Sequence, residues 1–203
     1  MFKALLGHPG RKNSRPYGLF RPGAFALLAS VLAAATMQPK PANGEPSMTL
    51  KISSSDFSAG GAIPRVYTCD GQGISPALSW SGVPAGTKSL ALIVDDPDAP
   101  DPDAPKMTWI HWVLYDIPPT ANGLAEAVTP QQLPAGTRDG LNSWNRPGYG
   151  GPCPPIGRHR YFFKLYALDK VLPDLHDPSK AELLKAMDGH IVEQTHMIGT
   201  YQH

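Results

Sequence analysis

Carboxylates and histidines stand at three places in this chain where a strand pattern begins or ends. The first place is the segment DDPDAP, residues 95–100, which follows the apolar run LALIV. Carboxylates at the end of a strand can bind a metal ion, orient a histidine or begin a turn. Because Asp and Pro are common turn formers, residues 95–100 taken alone favour a turn.

The second place is His111, near the start of the strand pattern WIHWVLYDI, residues 109–117. Side chains alternate along a strand, so Trp109 and His111 are expected on one face. Ile110 and Trp112 are expected on the opposite face. A histidine in a central strand either forms a hydrogen bond within the core or lines a cavity, and the sequence around His111 leaves both interpretations open.

The third place is the glycine- and proline-rich segment GYGGPCPPIGRHRY, residues 148–161. Strand alternation places His159 and Tyr161 on one face and turns the two arginines the other way, so the basic residues do not form one cationic patch. The glycine pair can present backbone N–H groups to an anion, and the prolines stiffen the loop. The segment indicates an anion pocket; the alternative is a tight corner between two sheets.

The rest of the chain must supply strands to hold these residues, and its composition favours strands. The 203 residues include 23 Pro and 20 Gly but only 17% charged residues, which favours a turn-rich, strand-rich protein over a helical bundle. One domain is expected at this length. Apolar or alternating runs predict strands at residues 48–53, 62–68, 77–80, 90–94, 109–117, 161–168 and 197–201.

The order of these elements predicts the fold class. No alternation of strands with helices appears, which argues against a parallel sheet. The run 90–94 is apolar on both faces and predicts a central strand, and the segment VPAGTKS, residues 83–89, predicts a hairpin. Ser179 and Glu182 have the spacing of a capping box and predict a helix, with a second helical stretch expected from His190. The predicted fold is all-β dominated, an antiparallel β-sandwich with one or two peripheral helices.

The N-terminal region has the pattern of an export signal. Five basic residues precede the apolar run AFALLASVLAAA, residues 24–35, which is too short to span a bilayer and ends in an Ala-rich cleavage pattern. We therefore predict a signal peptide and Pro-rich linker over residues 1–47, a domain over residues 48–203, and a periplasmic or secreted protein. The alternatives are an uncleaved anchor and a cytoplasmic protein that starts at Met48.

Without those first 35 residues the chain is mildly acidic. They contain five of its 18 Lys and Arg residues and none of its 17 Asp and Glu residues, so 13 basic residues remain and the formal charge is −4. This balance argues against nucleic acid and against an anionic membrane surface as partners, and no stable membrane insertion is expected after signal cleavage.

The two cysteines could form a covalent cross-link between distant parts of the chain. Cys69 and Cys153 either form a disulfide, which would close a long loop, or remain as two small thiols. Because they lack CxxC spacing, they indicate no structural zinc site.

Five motifs together resemble one family. DPDAP, the HW pair at residues 111–112 and the segment 148–161 occur with CDGQGISPALSW, residues 69–80, and PAGTKS, residues 84–89. On these motifs residues 48–203 resemble the phosphatidylethanolamine-binding protein family, in its bacterial Raf-kinase-inhibitor-like branch. The resemblance implies a Greek-key β-sandwich with an anion pocket for phosphate-type groups, including the phosphoethanolamine head group.

The resemblance also implies which residues bind the ligand. They are Asp96, Asp98, Trp109, His111, Gly151, His159 and Tyr161. In this interpretation two imidazoles, the tyrosine hydroxyl and a glycine N–H donate hydrogen bonds to the anion, while Asp96 orients one histidine. No cofactor is expected.

We expect a non-enzymatic binding protein whose partner is a small phosphate-containing or other anionic ligand. The chain shows no nucleophile-elbow serine and no HExxH spacing. One alternative is a kinase or protease inhibitor that acts through contact with a protein partner. The other is a metal-assisted hydrolase that uses Asp96, His111 and His159 as metal ligands. Two departures from the family pattern are a second DPDAP at residues 101–105 and the segment DGLNSW at residues 139–144.

Overall fold

The computed structural model describes residues 49–203, so the predicted signal peptide and linker, residues 1–47, lie outside the described part of the chain. Within that part the regular elements are, in chain order, β1 (Lys51–Ser53), β2 (Leu78–Ser81), β3 (Ser89–Asp96), β4 (Trp109–Ile117), β5 (Gly123–Leu124), β6 (Arg138–Asp139), β7 (His159–Leu168), α1 (Lys180–Met187) and β8 (Ile191–Tyr201).

The strands form two antiparallel sheets. The smaller sheet has the order β1-β2-β5, and the larger has the order β6-β4-β3-β7-β8. All eight residues of β3 are buried at the centre of the larger sheet, as its unbroken apolar run predicts. The predicted antiparallel β-sandwich is confirmed.

Two apolar clusters hold these layers together. One lies between the sheets, where Leu92 and Phe163 of the larger sheet pack in the same cluster as Leu78 and Trp80 of the smaller one. The other joins the outer face of the larger sheet to Leu183 and Met187 of α1, and includes Ile93, Val113 and Tyr115. The larger sheet is therefore covered on both faces.

A buried carboxylate anchors α1 to the sheet. Asp95 is fully buried, and its Oδ2 accepts hydrogen bonds from the ammonium groups of Lys164 on β7 and Lys180 on α1. Because neighbouring residues of a strand face opposite sides, Asp95 lies on the helix side and Asp96 on the side between the sheets. The two adjacent carboxylates thus have separate structural roles.

Two sequence-based expectations about loops are wrong. Residues 62–68 are not a strand: Ala62 forms one bridge with Thr200, and Arg65–Tyr67 is a 3-10 turn. Pro64 lacks the N–H that a strand ladder requires. VPAGTKS does not form a hairpin either, because β2 and β3 belong to different sheets; its turn carries the chain from one sheet to the other.

The prediction of a second helical stretch from His190 is also wrong, because the chain after His190 forms strand β8. This strand pairs with β7 along its length, from Ile191 opposite Leu168 to Tyr201 opposite His159. Gly189 ends the helix at a φ of 75°, which a residue with a side chain rarely adopts. Cross-strand pairing with β7 then outweighs the weak local helical preference of the tail.

The predicted capping box at the start of α1 is confirmed. Ser179 accepts a hydrogen bond from the backbone N–H of Glu182, whose carboxylate accepts from the Ser179 N–H. The helix has eight residues, and within residues 49–203 no helix is long and apolar enough to cross a lipid bilayer.

Removing the cap provides a small test of this geometry. Ser179→Ala is expected to lower the free energy of unfolding by about 1 kcal/mol, because one N-terminal N–H of α1 loses its acceptor. Ser55→Ala is the control, since the hydroxyl of Ser55 donates only to its neighbour Asp56 on the surface. Urea denaturation that shows equal stability for the two variants would contradict the role of the cap.

Candidate functional site

A cavity of about 410 Å³ opens where β3 ends and β4 and β7 begin. Its lining comes from four separate parts of the chain, so the three polar clusters of the sequence meet here. The lining residues are Asp96, Ala99, Pro100, Met107, Trp109, His111, Trp144, Cys153, Pro154, Pro155, His159 and Tyr161. Four of them are ionisable, namely Asp96, His111, His159 and Tyr161, and two tryptophans add indole N–H donors. The remaining walls are proline, thioether, alanine or disulfide side chains.

Asp96 and His159 form a buried pair. Asp96 Oδ2 lies 2.7 Å from His159 Nδ1, and the other oxygen of Asp96 accepts the Asp98 N–H at 2.8 Å. Burial raises the pKa of Asp96, and the hydrogen bond from His159 opposes that rise. Neither residue is more than 3% exposed, so the pair is held away from solvent.

His159 has no ring nitrogen left for a ligand. Its Nε2 lies 3.0 Å from the carbonyl oxygen of Ile156, which can only accept. Nε2 therefore carries a proton, and a second proton is held between Nδ1 and Asp96. The Asp96–His159 pair is neutral as a unit, whether it is imidazolium with carboxylate or imidazole with carboxylic acid. Its expected role as a direct donor to an anion is not supported by this geometry.

His111 is buried in its neutral form. Its side chain is 2% exposed, and burial lowers its pKa to about 4. Nδ1 donates to the carbonyl oxygen of Gly150 at 2.7 Å. Nε2 is therefore the unprotonated nitrogen, and it has no hydrogen-bond partner within residues 49–203. The group that His111 offers at the cavity is an acceptor.

Tyr161 supplies the matching donor. Its ring meets the ring of His111 edge to face, with centroids 5.1 Å apart. Burial raises the pKa of its hydroxyl, which stays protonated, and that hydroxyl also has no partner within the described residues. A buried polar atom without a partner costs free energy, and two such atoms in one cavity lining indicate a missing partner.

An irregularity in β4 explains how His111 reaches this position. Val94 pairs with Trp112 and the next residue, Asp95, pairs with Ile110, so His111 is skipped in the ladder. His111 and Trp109 share the cavity side, as predicted. Trp112 was expected opposite them, but the bulge turns it into the cluster between the sheets, while Ile110 packs against the cluster under α1.

The predicted residues Asp98 and Gly151 do not line the cavity. Asp98 binds Arg160 through the backbone N–H and two guanidinium nitrogens, and this contact lowers the pKa of the Asp98 carboxyl. Gly151 lies against the backbone of residues 67–68, where a Cβ atom would come within 2.8 Å of the Tyr67 carbonyl oxygen. Both residues are therefore in contact with parts of the chain other than the cavity lining.

Trp144 was missed as a wall of the cavity. It lies in the segment DGLNSW, and its ring meets those of Trp109 and His111 edge to face, with centroids 5.4 Å apart in each pair. The ring also covers Gly150 so closely that any side chain there would collide with it. A lone Trp in a loop carries no periodic signal, so the sequence did not mark it.

The second DPDAP, residues 101–105, forms a loop outside the cavity lining. The N–H groups of Lys106 and Met107 both donate to the carbonyl oxygen of Ala99, which closes the inserted loop at its base. Met107, two residues after the insertion, lines the cavity and is 52% exposed. The inserted loop therefore meets the cavity lining at its two ends, at Ala99 and Met107.

A disulfide joins Cys69 and Cys153, with their Cα atoms 5.4 Å apart. Cys153 lines the cavity, and the Cys69 N–H donates to the neighbouring Pro152 carbonyl at 3.0 Å. The bond ties one cavity wall to the loop after the first 3-10 turn. Of the two alternatives for the cysteines, the structure contains the bridge.

The metal-assisted alternative finds little support in the geometry. A metal ligand needs a free lone pair, and both ring nitrogens of His159 are engaged with Asp96 and Ile156. Among residues 49–203, the group of side chains with converging ligand atoms is a different one: Cys69, Cys153 and His203.

Comparisons with known proteins agree with the fold and the motifs. The family model for phosphatidylethanolamine-binding protein matches residues 53–202. A UPF0098 protein from Methanothermobacter thermautotrophicus is 52% identical over 147 residues, which cover 72% of this chain and 94% of that protein. A UPF0098 protein from Chlamydia trachomatis is 46% identical over 153 residues, which cover 75% and 99%.

Two solved structures share the fold. A phosphatidylethanolamine-binding protein homologue from Chlamydia trachomatis has a TM-score of 0.71 at 44% identity, with 77% of this chain and 99% of that chain covered. Escherichia coli YbcL has a TM-score of 0.68 at 31% identity, with 76% and 98% covered. The chain belongs to the phosphatidylethanolamine-binding protein family.

Proposed function

We propose that this protein is a non-enzymatic binding protein whose cavity takes a phosphate-type group, such as a phosphoethanolamine head group or another phosphorylated ligand. The observation that carries the proposal is a pair of buried atoms in one cavity lining that have no hydrogen-bond partner among the described residues 49–203: the acceptor His111 Nε2 and the donor Tyr161 hydroxyl. A ligand that both donates and accepts satisfies the two atoms together.

A phosphate monoester in its singly protonated form has both functions. Its P–OH group donates to His111 Nε2, and a phosphoryl oxygen accepts from the Tyr161 hydroxyl. The bound state then holds one proton between the ligand and His111. Since the Asp96–His159 pair is neutral as a unit, the cavity floor supplies no net cation for a dianion, and burying the extra charge would cost free energy.

The proposal predicts the pH dependence of binding. The second pKa of a phosphate monoester is about 6, so the protonated form is lost above that pH. Calorimetric titration of the full chain with phosphoethanolamine is expected to show affinity falling roughly tenfold per pH unit above about pH 6, the slope for uptake of one proton.

A sulfate ester is the matched control ligand for this experiment. O-sulfoethanolamine has the same ammonium group but no ionisable proton on its ester, so it accepts from Tyr161 and cannot donate to His111. We expect it to bind at least about tenfold more weakly at pH 5.5, where it leaves the His111 acceptor unsatisfied. Equal affinities for the two esters, or an affinity for phosphoethanolamine that rises with pH, would contradict the proposal.

The rim of the cavity favours a protein partner as a second candidate function. Met107, Trp144 and Ile156 are 52%, 40% and 54% exposed; the first two line the cavity, and the third follows its proline wall. Exposed large apolar side chains around a pocket are typical of an interaction site. In this function, an inhibitor of a kinase or protease, the cavity would hold a phosphorylated or acidic side chain of the partner.

The location we propose is the periplasm or the outside of the cell. An exposed disulfide between Cys69 and Cys153 supports an oxidising compartment, because cytosolic reductants keep most thiols reduced.

A further inference from the structure

Cys69, Cys153 and His203 form a cluster of metal-ligand types beside the cavity wall. One potential ligand atom from each lies within 4.8 Å of the other two. They come from three distant parts of the chain: the loop after the first 3-10 turn, the wall of the cavity and the end of the chain after β8. All three residues are exposed, so an ion from solvent can reach them.

His203 is already oriented by a carboxylate. Its Nδ1 lies 2.9 Å from Asp70 Oδ1 and 3.9 Å from the Cys69 sulfur. The other Asp70 oxygen accepts the hydroxyl of Tyr201, which holds the carboxylate in place. Metal-binding histidines typically have such a carboxylate on the ring nitrogen that does not bind the metal. Because His203 is about half exposed, its ring can turn to offer the second nitrogen to an ion.

We propose that the reduced form of this chain binds one zinc ion through Cys69, Cys153 and His203. A dithiol supplies two electrons and two protons and becomes a disulfide itself. A phosphine supplies two electrons and takes the oxygen atom of a water molecule, whose two protons complete the two thiols. Zinc then binds both sulfurs as thiolates, and the two thiol protons pass to solvent. The disulfide and the zinc site are therefore mutually exclusive states of the same residues.

The donor set determines the choice of metal. Two thiolates and one imidazole suit tetrahedral zinc, with water in the fourth position. At a Zn–S distance of about 2.3 Å, tetrahedral geometry separates the two sulfurs by about 3.8 Å. The Cα atoms of Cys69 and Cys153 are 5.4 Å apart, so rotation of the side chains is sufficient to reach that separation.

Zinc would keep the cavity wall in place when the disulfide is absent. Cys153 lines the cavity, and the backbone N–H of Cys69 donates to the carbonyl oxygen of Pro152, the residue before Cys153. Either staple ties the proline wall to the loop at residues 68–70. This inference does not depend on the identity of the cavity ligand, because neither His111 Nε2 nor the Tyr161 hydroxyl takes part in it.

Cobalt serves as the spectroscopic probe. The purified full chain is reduced with a phosphine, freed of reductant without oxygen and titrated with Co²⁺, then with Zn²⁺. We expect one Co²⁺ per chain with a thiolate-to-cobalt charge-transfer band, displaced by one equivalent of zinc. The oxidised chain is expected to show no such band, because its sulfurs are bonded to each other.

Two histidine variants decide whether the cluster is the site. His203→Ala is expected to weaken cobalt binding roughly tenfold or more, since it removes a ligand. His190→Ala is the matched control: its Nδ1 lies 2.9 Å from Asp169 in the same kind of pair, on a different part of the surface and without a cysteine partner. A reduced chain without the charge-transfer band, or equal cobalt affinities for the two variants, would overturn the proposal.

Discussion

Replacing Tyr161 with phenylalanine is expected to lower the affinity for phosphoethanolamine roughly 10- to 100-fold. The change removes one hydroxyl and leaves the ring that packs against His111. A hydrogen bond to a charged group contributes about 1.5–3 kcal/mol, which corresponds to that range of affinity. Calorimetric titration at pH 5.5, where the monoester carries its proton, measures the loss.

The same substitution is expected to leave the fold at least as stable as the wild type. The Tyr161 hydroxyl is buried and has no hydrogen-bond partner among residues 49–203, so its removal eliminates a desolvated donor rather than a hydrogen bond. We expect the free energy of unfolding to be unchanged or raised by about 1 kcal/mol. If Tyr161→Phe loses affinity while its free energy of unfolding is unchanged or higher, Tyr161 is a binding residue and not a structural one.

Tyr166→Phe is the control for this experiment. Tyr166 lies on the same strand, but its ring packs in the cluster under α1, on the other face of the sheet. Its substitution is expected to leave the affinity for phosphoethanolamine unchanged. If Tyr161→Phe binds as tightly as Tyr166→Phe, the hydroxyl of Tyr161 is not a ligand contact and the proposed site is wrong.

His111 is expected to make the protein less stable as the pH decreases from 7 to 4. Burial lowers its folded-state pKa to about 4, whereas the unfolded value is about 6.5. Between these pH values the unfolded chain binds the proton and the folded chain does not, so stability is lost as pH falls through this window. The difference corresponds to about 3 kcal/mol of unfolding free energy between pH 7 and pH 4.

The His111→Gln variant isolates this effect. Glutamine keeps a donor for the Gly150 carbonyl but has no titrating group. Between pH 7 and pH 4 the free energy of unfolding of the variant is therefore expected to decrease by about 3 kcal/mol less than that of the wild type. Asp96 has a raised pKa and contributes in the opposite direction, but it titrates in both proteins and cancels in the comparison. Guanidinium denaturation at pH 7 and pH 4 measures all four values. Equal losses of unfolding free energy in the two proteins would show that His111 is not buried in its neutral form.

Much of the sheet was predictable because its strands carry strong local patterns. The runs at β3, β4 and β7 are long, apolar and rich in aromatic or β-branched residues, and the structure places strands there. Alternation also placed His159 and Tyr161 on one face, and both are buried in β7 while Arg160 between them is exposed. These predictions depend only on neighbours in the chain, which is why they hold.

The predictions from sequence fail where contacts between distant parts of the chain determine the local structure. The skip at His111 depends on the register with β3, and local alternation could not place Trp112 between the sheets. Strand β8 depends on pairing with β7 and not on the helical preference of its own residues. Asp98 shares a motif with Asp96, yet its position beside Arg160 directs it away from the cavity.

The sequence by itself determined the strand-rich fold, the family motifs and the three clusters that meet at the cavity, because these follow from residue type and short-range periodicity. Only the tertiary structure decided the protonation of the site. His111 is an acceptor because the Gly150 carbonyl, 39 residues away, binds its other nitrogen, and His159 is closed to ligands because Asp96 and Ile156 engage both of its nitrogens. Likewise, two cysteines without CxxC spacing become a candidate metal site once folding brings His203 beside them. Hydrogen-bond partners and burial set the chemistry of a titratable side chain, and both are properties of the folded chain.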